Sequence, residues 1–284
     1  MPAPVLIPVR RRFTGTALSR EHERALDRGE SRGHKPVPWH RFDRSKYTEP
    51  ALELAFDTNR KLAAGEYGAV AVFGQLTSAL AMNGAPFDLV ASAARTASDE
   101  MRHAEFALRM ANLCHGREIG VRVDRGIIES PRCRPSNLDE LDRLMTEVPV
   151  MGETTASAML MASRERASDP VARAMIASLL ADEVHHARLG WYYLHWRAPQ
   201  WTRAEKQRVS DHAAGLVASS EWRFWTGRDA PRGSRAAAKA LGVLDSESQR
   251  LALRRVMENE IVPALDQLGL GASHAWRVRR RGGT

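Results

Sequence analysis

The sequence predicts an all-α protein: a four-helix bundle with additional C-terminal helices and an extended N-terminal arm. Three observations lead there. Long stretches repeat apolar residues at alternating spacings of three and four, the period of a helix with one buried face. Clusters of Asn, Gly and Pro cut these stretches into helix-sized pieces. A short pattern, Asp-Glu-x-x-His, occurs twice inside such pieces, as Asp99-Glu100-Met101-Arg102-His103 and as Asp182-Glu183-Val184-His185-His186.

Residues 1–48 mix Pro, Gly and charge and read as an extended basic arm, with room for a short helix around Ser19–Arg28. Trp39 and Phe42 are the side chains expected to dock it. His34 and His40 have no partner at ligand spacing and read as surface groups. The first long helix is predicted from Glu49 or Pro50 to Met82, with Leu62, Glu66, Ala69, Phe73, Leu76 and Leu80 on its inner stripe. Asn83-Gly84-Ala85-Pro86 ends it, Gly84 suiting a left-handed cap.

The second helix spans about Phe87–Leu113, with Leu89, Ala93, Thr96, Glu100, His103, Ala107 and Met110 inward and Gly116 just beyond. The short link makes these two helices antiparallel neighbours. Residues 117–137 lose the helical period and read as a crossover to the far end of the bundle. The third helix starts at Asn137 or Leu138 and runs to Ser168; Pro149, inside it, should kink or restart it. Asp169-Pro170 opens the fourth, Pro170–Arg197, with Ile176, Leu179, Glu183, His186, Gly190 and Tyr193 inward. Two more helices follow, about Arg203–Thr226 and Ser234–Leu268, the second broken near Gly242. The domain reading is an arm over 1–48, a bundle over 49–198, added helices over 199–270 and a basic tail over 271–284.

Charge is concentrated at the ends. Residues 1–48 hold eleven Arg/Lys against five Asp/Glu, and residues 271–284 hold four Arg and no acid. The ends thus carry +6 and +4 of a total of +8, which leaves the region between them at −2. The basic character belongs to solvated tails, and nucleic acid is a disfavoured partner. Cys114 and Cys133 point to reduced thiols in a cytoplasmic protein rather than to a disulfide framework. No stretch approaches the roughly 18 apolar residues of a membrane span. The Arg10-Arg11-Arg12-Phe13 run lacks the apolar segment of an export signal.

Four acids lie on inner faces in the order Glu66, Glu100, Glu153, Glu183, and each Asp-Glu-x-x-His pair puts Glu and His on one face, one above the other. Packing does not account for this, because an unpaired ionised carboxylate in a core is strongly unfavourable. Two divalent cations account for it: four Glu and two neutral imidazoles match a charge of +4, the ligand set of a bundle-core dinuclear site. Carboxylate with imidazole suits iron or manganese better than a thiolate-seeking metal. A metal-bound His donates its other ring N–H to a carboxylate. Asp99 is therefore expected to orient His186, and Asp182 to orient His103.

The pattern Glu66, Asp99-Glu100-x-x-His103, Glu153, Asp182-Glu183-x-x-His186 resembles the ferritin-like superfamily of di-iron carboxylate proteins, over about residues 50–197. The Asp99–His103 stretch is similar to the Asp-Glu-x-Arg-His motif of bacterial multicomponent monooxygenase hydroxylases; the second copy departs from it, with His185 in the Arg position. The resemblance implies a ferritin-like bundle and two iron ions, with manganese or a mixed pair as alternatives. It also implies Glu100 and Glu183 as bridges, Glu66 and His103 ending on one ion, and Glu153 and His186 on the other. Leu179 stands where arylamine N-oxygenases of the superfamily carry an extra His, so a seventh ligand of that kind is not expected.

The implied activity is oxidation of a small organic substrate with dioxygen (O2), electrons coming from an external donor. Ala69, Phe73, Ala156 and Ser157 are the expected pocket residues, and Ser157 is the one candidate catalytic hydroxyl, although serine is also a common helix-packing residue. The aromatic group from Trp191 to Trp201 reads as core and docking surface before it reads as an electron route. The alternatives are a ferroxidase or iron-handling protein and a di-iron tRNA-modifying hydroxylase. A homodimer is the assembly considered.

Overall fold

The computed structural model describes residues 5–7, 36–123, 134, 136–223 and 229–279. These are nearly all helical. The proposed helix at Ser19–Arg28, together with His34 and Cys133, lies outside the described residues.

Helix α1 (Glu49–Met82) and helix α2 (Phe87–His115) form a hairpin. Gly84 at φ 64° turns the chain between them, and Gly116 at φ 82° caps α2 two residues later than expected. Helix α3 (Leu138–Met145) starts on Asn137, whose side chain accepts from the Glu140 amide. It does not break at Pro149. The chain instead widens into a π-helical segment, Thr146–Glu153, and continues as α4 (Thr154–Arg166). Proline supplies no N–H, and the wider turn takes up its ring without ending the helix.

Helix α5 (Pro170–Arg197) is capped by Asp169, which accepts from the Val171 and Ala172 amides. The π segment packs on α5 at Gly190, where an added Cβ would fall 2.7 Å from Val150 N and 2.8 Å from Pro149 C. That glycine is what lets two backbones meet, and it presses the segment ending in Glu153 onto the helix carrying Glu183 and His186.

Around these lie α6 (Arg203–Arg223), α7 (Arg235–Ala240), α8 (Ser246–Val256), a second π turn (Met257–Ile261), α9 (Val262–Gln267) and α10 (Ala272–Val278). The break expected near Gly242 is a turn between α7 and α8, with Gly242 at φ 81°. The tail read from residue 271 begins instead with α10, which packs on α6 and buries Ala272, Ala275 and Trp276. Its charged residues mask a short helix whose apolar side faces inward.

The sequence reading missed a strand pair. Val5–Ile7 pairs antiparallel with Val121–Val123, in the arm and the crossover. Val121 and Val123 point into the core and Arg122 outward, the alternation of a half-buried strand. Trp39 does dock the arm: its ring meets Phe106 edge-on at 5.4 Å, with Arg109 over it at 4.7 Å. Phe42 stacks on Tyr47 at 5.9 Å, and the Tyr47 hydroxyl donates to the capping carboxylate of Asp169 at 2.6 Å. His40 is exposed. No helix among the described residues is long and apolar enough to cross a membrane.

Candidate metal centre

The two Asp-Glu-x-x-His copies lie on α2 and α5 and face each other across the core. Glu100, His103, Glu183 and His186 are all buried, and one ligand atom from each falls within 4.8 Å of the others. His103 Nδ1 is 3.0 Å from Glu183 and 3.6 Å from Glu100. His186 Nδ1 is 3.0 Å from Glu100 and 3.2 Å from Glu183. Each imidazole thus turns the same nitrogen towards both central carboxylates. Its other nitrogen meets the Asp of the opposite copy: His103 Nε2 lies 3.3 Å from Asp182 and His186 Nε2 lies 3.5 Å from Asp99.

The remaining two acids flank this group. Glu66 on α1 lies against Glu100, and Glu153, the last residue of the π segment, lies against Glu183. Four of the six residues singled out by the sequence thus meet in one buried group, and the other two interact with its central carboxylates.

The group repels itself as four carboxylates, and its protons relieve that. Burial, reinforced by the Glu100 and Glu183 charges, pushes the Glu66 carboxyl well above the usual carboxylate range. Burial with Glu183 and Glu100 does the same to Glu153. Burial would also raise Glu100 and Glu183, but the two imidazoles lying against them outweigh it and hold both low. The imidazoles are held high in turn, against burial: His103 by Glu100 and Glu183, His186 by Asp99, Glu100 and Glu183.

Divalent metal ions fit the same residues. Both Glu100 oxygens and His103 Nδ1 are buried without a well-directed hydrogen bond, although charged partners sit 3.0–3.6 Å away. Groups aimed at a common point between them, rather than at one another, show this combination. Ligands about 2.1 Å from one ion and at right angles stand about 3 Å apart, close to the separations seen. The cluster could hold metal, and it is compatible with a di-iron protein.

Arg102 was part of the motif but had no role in the sequence reading. It is buried; it donates to Asp182 and, at 2.8 Å, to Ser178 Oγ. The carboxylate behind His103 is thus anchored by a guanidinium. A charged residue inside an otherwise buried motif was the available signal. His185, which takes the matching place in the second copy, is exposed.

The expected pocket residues fall elsewhere. Phe73 is fully buried and packs against His186 at 6.1 Å, forming a wall. Ala69 packs onto the main core. Ala156 is half-buried and lines none of the cavities described below. Ser157, its Oγ buried without a hydrogen-bond partner, lines a surface groove between α4, α5 and α8.

The cavity that does reach the cluster lies on the other side, between α1, α4, α5 and the turn at 241–244. It measures about 540 Å³, and Glu66 lines it. Glu66 is half-buried where the other ligand candidates are buried, because this cavity opens beside it. No family model and no curated protein matches the chain.

Proposed function

We propose that the chain is a ferritin-like, non-haem di-iron oxidase or oxygenase that uses O2 to oxidise a small organic molecule bound beside the cluster. The observation that carries this is the mirrored pair of imidazoles, each with Nδ1 on both central carboxylates and Nε2 on an Asp of the other copy. A packing arrangement of acids and histidines has no reason to repeat that geometry across two helices. The cavity at Glu66 adds a place for a substrate.

In this reading Glu66, Glu100, His103, Glu153, Glu183 and His186 would hold two iron ions, with Glu100 and Glu183 as the central pair of carboxylates. Bound iron would supply the redox capacity for reducing O2, with electrons drawn from an external donor. The protein's own part is to place and to protect. Asp182, held by Arg102, and Asp99 keep the imidazoles turned with Nδ1 inward. Phe73 and the apolar helix faces exclude water on one side, so oxidising chemistry is confined to the side of the cavity.

The test is metal analysis of the purified protein followed by oxygen uptake after anaerobic reduction. Two iron ions per chain and stoichiometric O2 consumption without mineral formation are expected. Glu100→Ala and Glu183→Ala should each lose both ions. A hollow oligomer that turns over many equivalents of free ferrous iron would replace this reading with iron storage. Full metal occupancy in either alanine variant would remove the site assignment.

A further inference from the structure

The cavity at Glu66 runs beside α1 from Leu54 to Glu66, twelve residues of helix and so about 18 Å. At about 540 Å³ it lies in the range of small-molecule sites. Its walls are mainly apolar: Leu62 of α1, Met159 and Leu160 of α4, Met175 and Ile176 of α5, and the turn at 241–244. Several polar side chains in the wall are tied to nearby backbone carbonyls. Thr58 Oγ1 donates to Leu54 at 2.8 Å, Asn59 Nδ2 to Ala55 at 2.8 Å and Gln249 Nε2 to Leu244 at 3.2 Å. A ligand with several polar groups would leave some of them unpaired inside, at a cost.

Helical geometry shows where this cavity opens. At about 100° per residue, the α1 residues in its lining fan over an arc of roughly 200°, from Asp57 to Asn59. Asp57 and Lys61, opposite in charge, share the first edge. Thr58 and Gly65 lie within about 20° of the middle of the arc. Both are exposed, so solvent reaches the cavity over this part of α1. A Cβ added at Gly65 would point into the opening, where nothing stands within 4 Å of it. Glycine inside a helix lowers the folding equilibrium about fivefold relative to alanine, and no close contact at this position calls for it. Its effect is to leave the way to the neighbouring Glu66 unobstructed.

We propose that this cavity takes a compact, neutral, mainly apolar organic molecule, and that Gly65 sets the size of what can pass to Glu66. Calling the ligand a substrate rests on the oxidase reading; the binding itself does not. The ligand enters over Thr58 and Gly65 and lies along α1, its body against the methionines and leucines of the wall.

The test uses two neutral probes of the same shape, 1,4-diethylbenzene and 1,4-benzenedimethanol, titrated calorimetrically into the purified metal-loaded protein. The wild type should bind the hydrocarbon at least about tenfold more tightly, since the second probe buries hydroxyls in an apolar wall. Gly65→Leu should weaken hydrocarbon binding and Gly65→Phe should abolish it, with metal content unchanged. Gly74→Phe is the control: Gly74 is also exposed on α1 with open space at its Cβ, but it lies outside this cavity, so binding should persist. Gly65→Ala should melt about 2 °C higher than the wild type, because it gains helix propensity and meets no neighbour. Equal or tighter binding of the dimethanol overturns the apolar reading. Hydrocarbon binding that survives Gly65→Phe, or is lost equally in Gly74→Phe, overturns the role of Gly65, as does a lowered melting temperature in Gly65→Ala. Absence of binding by the wild type overturns the cavity. Binding without oxygen uptake by the reduced protein would sustain this site and sink the oxidase reading; uptake without binding would do the reverse.

Discussion

Loading the metal-free protein with two divalent ions at pH 6 should release about four protons per chain. The count follows from the cluster. Glu66 and Glu153 are held well above the usual carboxylate range and carry a proton there. His103 and His186 are held above the ordinary imidazole value of 6.5 and carry a second proton there. Glu100 and Glu183 are already ionised. Six ligands to two cations must all be deprotonated at their donor atoms, so two carboxyl and two imidazolium protons leave. Around pH 6 the overall binding constant for the pair should therefore rise by about 10⁴ per pH unit, about 5 kcal/mol at roughly 1.4 kcal/mol per proton. Calorimetry with ferrous or manganous ion in two buffers of different ionisation enthalpy gives the proton count directly. Release of one proton or fewer, or an affinity that changes less than tenfold per pH unit, would show that the six groups do not act as one ligand set.

The same shifts set the sign of stability against pH. A carboxyl raised in the fold destabilises it as pH climbs above the unfolded value of about 4.5. An imidazole raised in the fold contributes stability that is present below 6.5 and lost as pH rises through its folded value. Both act in one direction between pH 6 and 8. Metal affinity grows over that interval, so the gap between holo and apo melting temperatures should widen. A constant gap would contradict the assignment.

Further outcomes test separate parts of the structure. Arg102→Met leaves the buried Asp182 carboxylate without its guanidinium and should cost about 3–5 kcal/mol of stability, read from urea unfolding; a loss under about 1 kcal/mol would mean the pair is incidental. Asp99→Asn should weaken iron affinity by roughly 10–100-fold yet still allow two ions at saturation, whereas loss of both would make Asp99 a ligand. Gly190→Ala puts a Cβ against the backbone at Pro149 and Val150 and should destabilise by about 1–3 kcal/mol; an unchanged melt would show that the π segment shifts freely. Burial, aided by the Asp169 charge, pushes the Cys114 thiol from 9.0 up to about 12, so alkylation at pH 8 should be about 1,000-fold slower in the native than in the unfolded protein by peptide mapping. A native rate near the unfolded one would mean that Cys114 is solvated.

The sequence by itself determined the helical architecture and the identity of the convergent groups, and the reason is periodicity. Helix spacing is a local property, so Glu66, Glu100, His103, Glu183 and His186 could be put on inner faces without knowing what they faced. The duplicated Asp carried even the partner of each imidazole, since two equal motifs on facing helices leave few other pairings.

Contacts between backbones, and between segments distant in the chain, were decided by the tertiary structure. Pro149 reads in sequence as a kink or restart of the third helix; against Gly190 it becomes a π-helical segment that delivers Glu153 beside Glu183. The valines at 121 and 123 form a strand only because Val5–Ile7 is there to pair with them. Counting charge made residues 271–284 a tail, yet Ala272, Ala275 and Trp276 show that three buried side chains outweigh that composition. The pocket is the clearest case. Small residues near the ligands suggested Ala69 and Ala156, but open space depends on where neighbouring helices separate. That separation lies between α1 and α4 and is walled by a turn and a glutamine some 180 residues further along the chain than Glu66.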